Sequence, residues 1–210
     1  MEKLQQLPEA WQVCLDLAVE GYNAGSMGIA AVIVDKAGNI VARGRNQLRD
    51  DKDSCSSIRM SSVAHAEINA LNNLPQEYRE DRELTLYTTV EPCPMCLGAV
   101  AMSRIRAIKI GCADPHAGSI VMLEHNEYLR GKNIAVEYAG GEVEKLCFLL
   151  HYLSIRRDLS HNPGHRIFKA LARRYPHYVK AIDAVLERDE SLHRGDITTE
   201  FLYYASARLG

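Results

Sequence analysis

The sequence lacks any hydrophobic run long enough to cross a bilayer. Its longest purely apolar stretches, Ile29–Val34 and Ala99–Met102, are far shorter than the ~20 residues that a membrane-spanning helix needs. The first residues, from Met1 to Pro8, include an acidic side chain and no apolar core, which is not typical of a signal peptide. We therefore expect a protein without membrane contact.

Cysteine is also scarce, with 6 in 210 residues. This is too few for a disulfide scaffold, and without a secretory signal the cysteines are better interpreted as thiols or metal ligands in a reducing compartment. The composition, 47% hydrophobic and 25% charged, is typical of globular proteins and excludes a disordered or fibrous chain. We expect one large domain, or one domain with an appendage, in the cytoplasm.

The net charge of −2 conceals an uneven distribution. Residues 1–150 contain 15 basic and 20 acidic side chains, whereas residues 151–180 contain 7 basic and 1 acidic. Residues 181–210 return to an acidic balance, with 3 basic and 6 acidic. The basic block is a candidate for binding a phosphate-bearing ligand, but charge runs are weak evidence and a solvated helix face or pairing to the acidic remainder is the favoured interpretation.

Strands alternate with helices along the first three quarters of the chain, which predicts an α/β layered sheet with right-handed crossovers. A first helix runs from Pro8 to about Tyr22, and a polar segment, Arg49–Ser62, is a candidate binding loop. The predicted strands are Gly28–Val34, Ile40–Arg45, Leu84–Thr89, Ile105–Gly111 and Ile134–Tyr138, and the helices between and after them are Ala64–Leu74, Pro94–Ser103, Val121–Leu129 and Gly141–Ile155.

After Asp158 the sequence is compatible only with helices, predicted at His165–Arg174, His177–Glu187 and Thr198–Ala207. The predicted organisation is therefore a domain over residues 1–158 and a helical C-terminal extension over residues 159–210.

Two short motifs carry the chemistry. Cys93 and Cys96 lie three residues apart at the start of a predicted helix, so both sulfurs can reach one ion. A helix N-terminus favours thiolate over thiol, which is the form that a ligand needs. His65, at the start of another helix, supplies a nitrogen. Two thiolates and one imidazole match Zn²⁺ and leave a fourth position for water, which is typical of a catalytic zinc and lowers the pKa of that water towards ~7.

Glu67 lies two residues from His65, where a carboxylate can take a proton from the water and return it to a leaving group. Side chains at positions i and i+2 diverge on a regular helix, so the site must lie beside the first turn. Two alternatives remain open: a structural zinc site closed by Cys112, and a zinc-stabilised binding module without activity. Glu67 argues against the second, since a scaffold needs no acid there.

The pattern His-x-Glu followed by Pro-Cys-x-x-Cys is the signature of zinc nucleobase deaminases. Residues 8–158 resemble the cytidine-deaminase-like superfamily, and most closely its branch of tRNA adenosine deaminases, guanine deaminases and nucleoside deaminases. The resemblance rests mainly on Thr88–Ile105 and on Cys112–Ser119. It implies a three-layer α/β/α sandwich with a five-stranded mixed sheet and Zn²⁺ held by His65, Cys93 and Cys96. It also implies a dimer or higher oligomer whose subunits complete each other's sites, and we expect a homodimer.

The same resemblance marks two further residues. Asn46 occupies the place of a base-contacting asparagine, and Asp114 that of an aspartate in the substrate loop. Turn formation is the alternative explanation for each residue. The segment from His65 to Asn69 resembles deoxycytidylate deaminases, whereas Glu91–Cys96 resembles purine enzymes.

These features predict a hydrolytic deaminase that acts on the exocyclic amine of a nucleobase, nucleoside or nucleotide. The alternative is a wobble adenosine in tRNA. The acidic balance of residues 1–150 favours a small substrate, because nucleic-acid binding relies on basic faces.

Overall fold

The computed structural model describes residues 7–50, 58–186 and 196–207. Its centre is a five-stranded mixed sheet in the order β2-β1-β3-β4-β5. The first strand, β1, is antiparallel to both of its neighbours, whereas β3, β4 and β5 are parallel to one another. The expected α/β/α sandwich with a five-stranded mixed sheet is therefore confirmed.

The strands are β1 Ala30–Val34, β2 Ile40–Arg45, β3 Thr85–Val90, β4 Ala107–Cys112 and β5 Ala135–Tyr138. The helices are α1 Glu9–Asn23, α2 Ala66–Asn72, α3 Pro94–Met102, α4 Met122–His125, α5 Glu127–Arg130, α6 Gly141–Asp158, α7 Arg166–Arg174, α8 Pro176–Leu186 and α9 Thr199–Ser206. A short 3-10 turn, Gln76–Tyr78, precedes β3.

The two faces of the sheet are buried under different helices. Ala31 and Ile33 of β1 belong to the apolar core shared with α2 and α3, while Ala30, Val32 and Val34 belong to the core shared with α1 and α6. All five residues of β1 are buried. The nearly continuous apolar sequence of this strand thus reflects its central position, as predicted.

One predicted helix is wrong. Residues Val121–Leu129 form two short helices instead of one, because Asn126 lies between α4 and α5 in an extended conformation. Its side-chain oxygen accepts a hydrogen bond from the Leu129 amide at 3.1 Å, which caps the start of α5. Asparagine favours caps over helix interiors, since its side chain competes for backbone groups. Half of the predicted binding loop, residues 51–57, lies outside the described residues.

The helices after Asp158 pack onto the outer side of α6 and α1. Leu171, Ile182 and Leu202 are buried within the same apolar core as α1 and α6. The end of the chain also bonds to its beginning, because the Asn23 side-chain amide donates to the Ile197 carbonyl at 2.8 Å and its oxygen accepts from the Ile197 amide at 3.0 Å. The boundary at residue 158 stays a prediction.

No helix within the described ranges is long and apolar enough to span a membrane.

Candidate active site and metal centre

The three predicted metal ligands lie at the starts of two helices on the same side of the sheet. His65 is the cap residue before α2, and Cys93 is the cap residue before α3, with Pro94 opening that helix. Cys96 lies in the first turn of α3 and is buried. Proline suits the first helical position because the amide it lacks would have had no partner there. The two motifs therefore meet because their helices start next to each other.

The donor atoms have the spacing of a tetrahedral metal site. The Nδ1 atom of His65 lies 3.4 Å from Cys96 Sγ and 3.7 Å from Cys93 Sγ, and the ligand atoms all lie within 4.8 Å of one another. A tetrahedral zinc with Zn–S of about 2.3 Å and Zn–N of about 2.0 Å holds its sulfur and nitrogen ligands roughly 3.5 Å apart. The geometry and the donor types both fit Zn²⁺.

The described residues supply three ligands to the candidate metal site. Among the residues that the structure describes, only His65, Cys93 and Cys96 gather into a metal-ligating group. Cys112 is fully buried in the core on the α1–α6 side of the sheet, so it does not close the site. Hydrogen bonds from Cys96 and His65 lower the pKa of Cys93 to about 4, although burial opposes this shift. A thiolate at Cys93 is the form that binds a metal.

Glu67 lies in the first turn of α2 and is 4% exposed. Burial raises the pKa of its carboxyl group. The Thr88 hydroxyl on β3 lies 3.1 Å from Glu67 Oε1 and 3.0 Å from the Val90 carbonyl oxygen, and its single hydrogen serves one of these acceptors at a time. The contact with Thr88 holds the orientation of the Glu67 carboxyl group. On a regular helix the side chains of His65 and Glu67, two positions apart, would diverge. They converge here because His65 is the cap residue with extended backbone and is not part of the helix.

The position of α2 depends on a close approach to β2. A side chain at Gly44 would place its Cβ 2.2 Å from the Ala70 amide nitrogen and 2.4 Å from the Ala66 carbonyl oxygen. Asn69, fully buried on α2, donates from its amide to the Arg45 carbonyl at 3.0 Å. Only glycine at position 44 permits this packing, which in turn places His65 and Glu67.

Asn46 follows β2 and is 2% exposed. Its Oδ1 accepts a hydrogen bond from the Leu48 amide at 3.2 Å, so the turn-forming interpretation is correct for that oxygen. No described residue accepts a hydrogen bond from its Nδ2. The next residue, Gln47, donates its amide to the Ala64 carbonyl at 2.9 Å, directly before His65. Asn46 therefore lies beside the metal-binding segment with a donor available.

Residues 113–120, here called the site loop, follow β4 and contain Asp114. The Asp114 carboxylate accepts from the amides of His116 at 2.8 Å and Ala117 at 3.1 Å, so it shapes the loop from within. Ser119 bonds to the Pro92 carbonyl through its hydroxyl at 2.7 Å. The loop is thereby tied to the residue that precedes Cys93. A substrate contact by Asp114 stays a prediction.

Glu91 is a functional neighbour that sequence reasoning missed. Its carboxylate accepts from the Asp114 amide at 3.2 Å and from the Ile120 amide at 3.1 Å, which closes the site loop at both ends. A Cβ at Gly118 would lie 2.4 Å from the Glu91 carboxyl carbon. The only signal for it in the sequence was its place before Pro92 in the cysteine motif.

Comparison with known proteins agrees with this site. A family model described as the cytidine and deoxycytidylate deaminase zinc-binding region matches residues 4–112, and the chain belongs to this family. The tRNA-specific adenosine deaminase of Haemophilus influenzae is 39% identical over 135 residues, covering 63% of this chain and 73% of that protein. Guanine deaminase of Bacillus subtilis is 38% identical over 95 residues, covering 44% of this chain and 55% of that protein.

A solved structure from a study of tRNA:A34 deaminases at the wobble position of transfer RNA has the same fold, with a TM-score of 0.54 and 26% identity. It covers 67% of this chain and 97% of that chain. These relatives are hydrolases that act on carbon–nitrogen bonds in amidines, so the resemblance inferred from the motifs is confirmed. The family model ends at Cys112, immediately before the site loop.

Proposed function

We propose that this protein is a zinc-dependent hydrolytic deaminase that removes an exocyclic amino group from a nucleobase, nucleoside or nucleotide, with a purine preferred, and releases ammonia. The observation that carries the proposal is the group of His65, Cys93 and Cys96, to which the described residues add no fourth ligand, with the buried carboxylate of Glu67 beside it. The purine preference is supported by relatives named as adenosine and guanine deaminases, although one relative is a cytosine deaminase.

Zinc, when bound by His65, Cys93 and Cys96, supplies a Lewis acid that lowers the pKa of a water molecule. Glu67 takes one proton from that water and delivers it to a ring nitrogen of the base. The water oxygen bonds to the amine-bearing carbon, and Glu67 then takes the remaining proton of the added hydroxyl and passes it to the amine. The carbon–nitrogen bond breaks, ammonia leaves, and the oxygen stays on the ring as a carbonyl. The Thr88 hydroxyl, 3.1 Å from Glu67 Oε1, can donate to the ionised carboxylate and accept from the protonated one, so it keeps the group oriented during both transfers.

Two side chains are proposed to hold the base. The unused donor of Asn46 is suited to an acceptor on the base edge, because a neutral amide reads a base without the cost of burying a charge. Asp114 is proposed to contact the substrate through the site loop that its own carboxylate shapes.

A screen for ammonia release over free bases, nucleosides, nucleotides and tRNA tests the proposal. We expect release from one class, together with about one zinc per chain by elemental analysis. Substituting Cys93→Ala with Cys96→Ala should remove the metal and the activity. Cys147→Ala, a buried thiol in the core on the α1–α6 side of the sheet, is the matched control and should keep both. The absence of ammonia from every class, with zinc bound, would contradict the proposal.

The second candidate, deamination of a wobble adenosine in tRNA, is favoured by one surface. Arg166, Lys169 and Arg173 are exposed on α7 at three- and four-residue steps, which puts them on one face. Within the described ranges none of them forms an ion pair. The start of α7 lies beside the site loop, because the ring of His165, the cap residue of α7, is 5.9 Å from the ring of His116 in that loop.

Two other arginines of the basic block have a structural role. Arg156 pairs with Asp183 at 3.8 Å, and Arg157 donates to the carbonyls of Tyr22 and Ser26 at 2.8 and 2.6 Å. Neutralising Arg173 together with Arg174 separates the two candidates. A small substrate predicts unchanged kinetics, whereas tRNA predicts weaker binding that low salt restores.

We further propose that the active form is a homodimer that buries the face formed by α2 and α3. An open groove of about 530 Å³ lies there, lined by Ile68, Leu71 and Met102 among others, and Met102 is 67% exposed. Large apolar patches on a surface mark interaction sites, and one relative is named as a subunit of a tRNA-specific adenosine deaminase.

Sedimentation over a range of concentrations tests the dimer. The Met102→Asp variant should sediment as a monomer and Met102→Leu as a dimer; identical behaviour of both variants would contradict this interface. A cytoplasmic location is supported by the described cysteines, which are all free thiols.

A further inference from the structure

The C-terminal extension contacts the candidate active site through one buried hydroxyl group. Tyr175, between α7 and α8, is 5% exposed, and its ring lies 4.4 Å from that of Phe148 on α6. The Tyr175 hydroxyl accepts a hydrogen bond from the Ala113 amide at 2.8 Å. Ala113 is the first residue of the site loop, so a side chain from the extension holds the point where the loop leaves the sheet.

The Tyr175 hydroxyl both donates and accepts a hydrogen bond. A tyrosine hydroxyl has one hydrogen to donate and lone pairs to accept. Tyr175 donates to Glu144 Oε1 at 3.2 Å, which turns its lone pairs towards the Ala113 amide. Burial raises the pKa of Tyr175, so the hydroxyl stays protonated and available to donate.

The Ala113 amide needs this partner because β4 ends at Cys112. The Cys112 carbonyl still accepts from the Glu91 amide at 2.9 Å, but the next amide has left the sheet. A buried amide without a partner is costly. Glu91 takes the following amide, that of Asp114. The entry of the site loop is therefore held by Tyr175 and Glu91 at successive amides.

We infer that Tyr175 is a positioning residue for the site loop, so that the C-terminal extension forms part of the catalytic unit. The inference rests on the proposed function, in which this loop contacts the substrate. A second contact supports it, since the His165 ring of the extension meets the His116 ring further along the same loop at 5.9 Å. The family model ends at Cys112 and includes neither partner of the Tyr175–Ala113 bond.

The chain offers a matched control in Tyr152, which is 2% exposed and donates its hydroxyl to Asp183 at 2.9 Å. Both tyrosines are buried and both donate to a carboxylate, but only Tyr175 also accepts from the site loop. Tyr175→Phe and Tyr152→Phe each remove one hydroxyl and keep the ring. A difference between the two variants therefore reports on the Ala113 bond.

The kinetic arm uses whichever substrate releases ammonia from the wild-type protein. We expect Tyr175→Phe to raise KM by about 3- to 10-fold, the factor that one lost hydrogen bond gives, with kcat within about 2-fold. Tyr152→Phe should leave both constants near the wild-type values. Equal changes of KM in the two variants would mean that Tyr175 only stabilises the fold, and this would overturn the inference. An unchanged KM in Tyr175→Phe would overturn it as well.

The second arm is hydrogen exchange of backbone amides, which needs no substrate. In the wild-type protein the Ala113 amide should be as protected as the amides of β4, although it lies outside the strand; an unprotected amide overturns the inference even if the variant fails to fold. Tyr175→Phe should speed exchange over residues 113–120, and Tyr152→Phe should not. If no substrate class releases ammonia, the proposed function fails, and this arm still decides whether Tyr175 holds the loop.

Discussion

The helices that carry the metal ligands and the helices that follow Asp158 serve the candidate site in different ways. At the starts of α2 and α3, His65 and Cys96 belong to the candidate ligand group and Glu67 is the proposed acid–base residue, and their identities form a recognisable motif. The extension acts through single contacts to backbone groups, such as the Tyr175 hydroxyl on the Ala113 amide. A site that requires several residue types at fixed spacings can be predicted from a sequence. A contact that requires only one hydroxyl group at one position cannot.

The largest expected effect tests the motif side of this comparison. Glu67→Gln should lower kcat by about 10²–10⁴-fold, the usual loss when a general acid–base group is removed. Zinc content and thermal stability should stay near the wild-type values, because Glu67 is not among the ligands. Glu77→Gln, an exposed residue in the turn before β3, is the control. A near wild-type rate for Glu67→Gln would remove this residue from the mechanism.

The next prediction concerns the packing that positions α2. Gly44→Ala should lower the free energy of unfolding by about 3 kcal/mol, at the upper end of overpacking costs, since the new methyl group meets backbone atoms that cannot rotate away. Gly98→Ala on α3 meets nothing within 4 Å and should stabilise the protein by up to about 1 kcal/mol. Urea unfolding measures both, and equal stabilities would contradict the close approach of α2 to β2.

Asn46→Ala should lower kcat/KM if the Asn46 amide donates to the substrate, because the variant leaves a buried acceptor unpaired. The loss should be equivalent to about 1–3 kcal/mol of transition-state stabilisation. The matched control is Asn39→Ala in the hairpin turn, where the amide bonds only to Asp35 at 2.9 Å. Steady-state kinetics on the substrate found by the screen decides the case. An Asn46→Ala enzyme with unchanged kcat/KM would leave only the turn-forming role.

The smallest effect tests α6, which lies between the sheet and the extension. His151 is 2% exposed, and among the described residues neither ring nitrogen has a hydrogen-bond partner. Burial lowers its pKa, and the charge of Asp114 only partly opposes this. Below about pH 6.5 His151 binds a proton in the unfolded chain but stays neutral in the folded protein. The free energy of unfolding should therefore fall by up to ~1.4 kcal/mol for each pH unit of acidification.

Urea unfolding at pH 7.5 and pH 5.5 checks this dependence. His151→Met should flatten it, while His161→Gln, which changes an exposed residue, should not. A loss of stability on acidification that is the same in all three proteins would mean that other groups cause it.

The sequence was sufficient to predict the order of the strands and the grouping of His65, Cys93 and Cys96, because period, turn chemistry and ligand spacing are local properties. The catalytic role of Glu67 stays a prediction. The sequence placed the start of β1 at Gly28, two residues early, where the Gly28 amide instead donates to the Ser154 hydroxyl of α6 at 2.8 Å. That contact spans 126 positions, and nothing local reveals it. The sequence predicted no role for Thr88 or Glu91 for the same reason, because their hydrogen-bond partners at the site lie on other elements.

The pairing of Asn23 with Ile197 has a consequence for how the protein is made. These residues are 174 positions apart, so at roughly 5–20 residues per second a ribosome takes on the order of ten to thirty seconds to supply the partner of α1. Until residue 197 has been made, the Asn23 side chain lacks this partner, although His65, Cys93 and Cys96 have been synthesised before it. The residues of the ligand group therefore precede those of the extension in the order of synthesis, and the site loop gains its Tyr175 support only some time after the loop itself has been made.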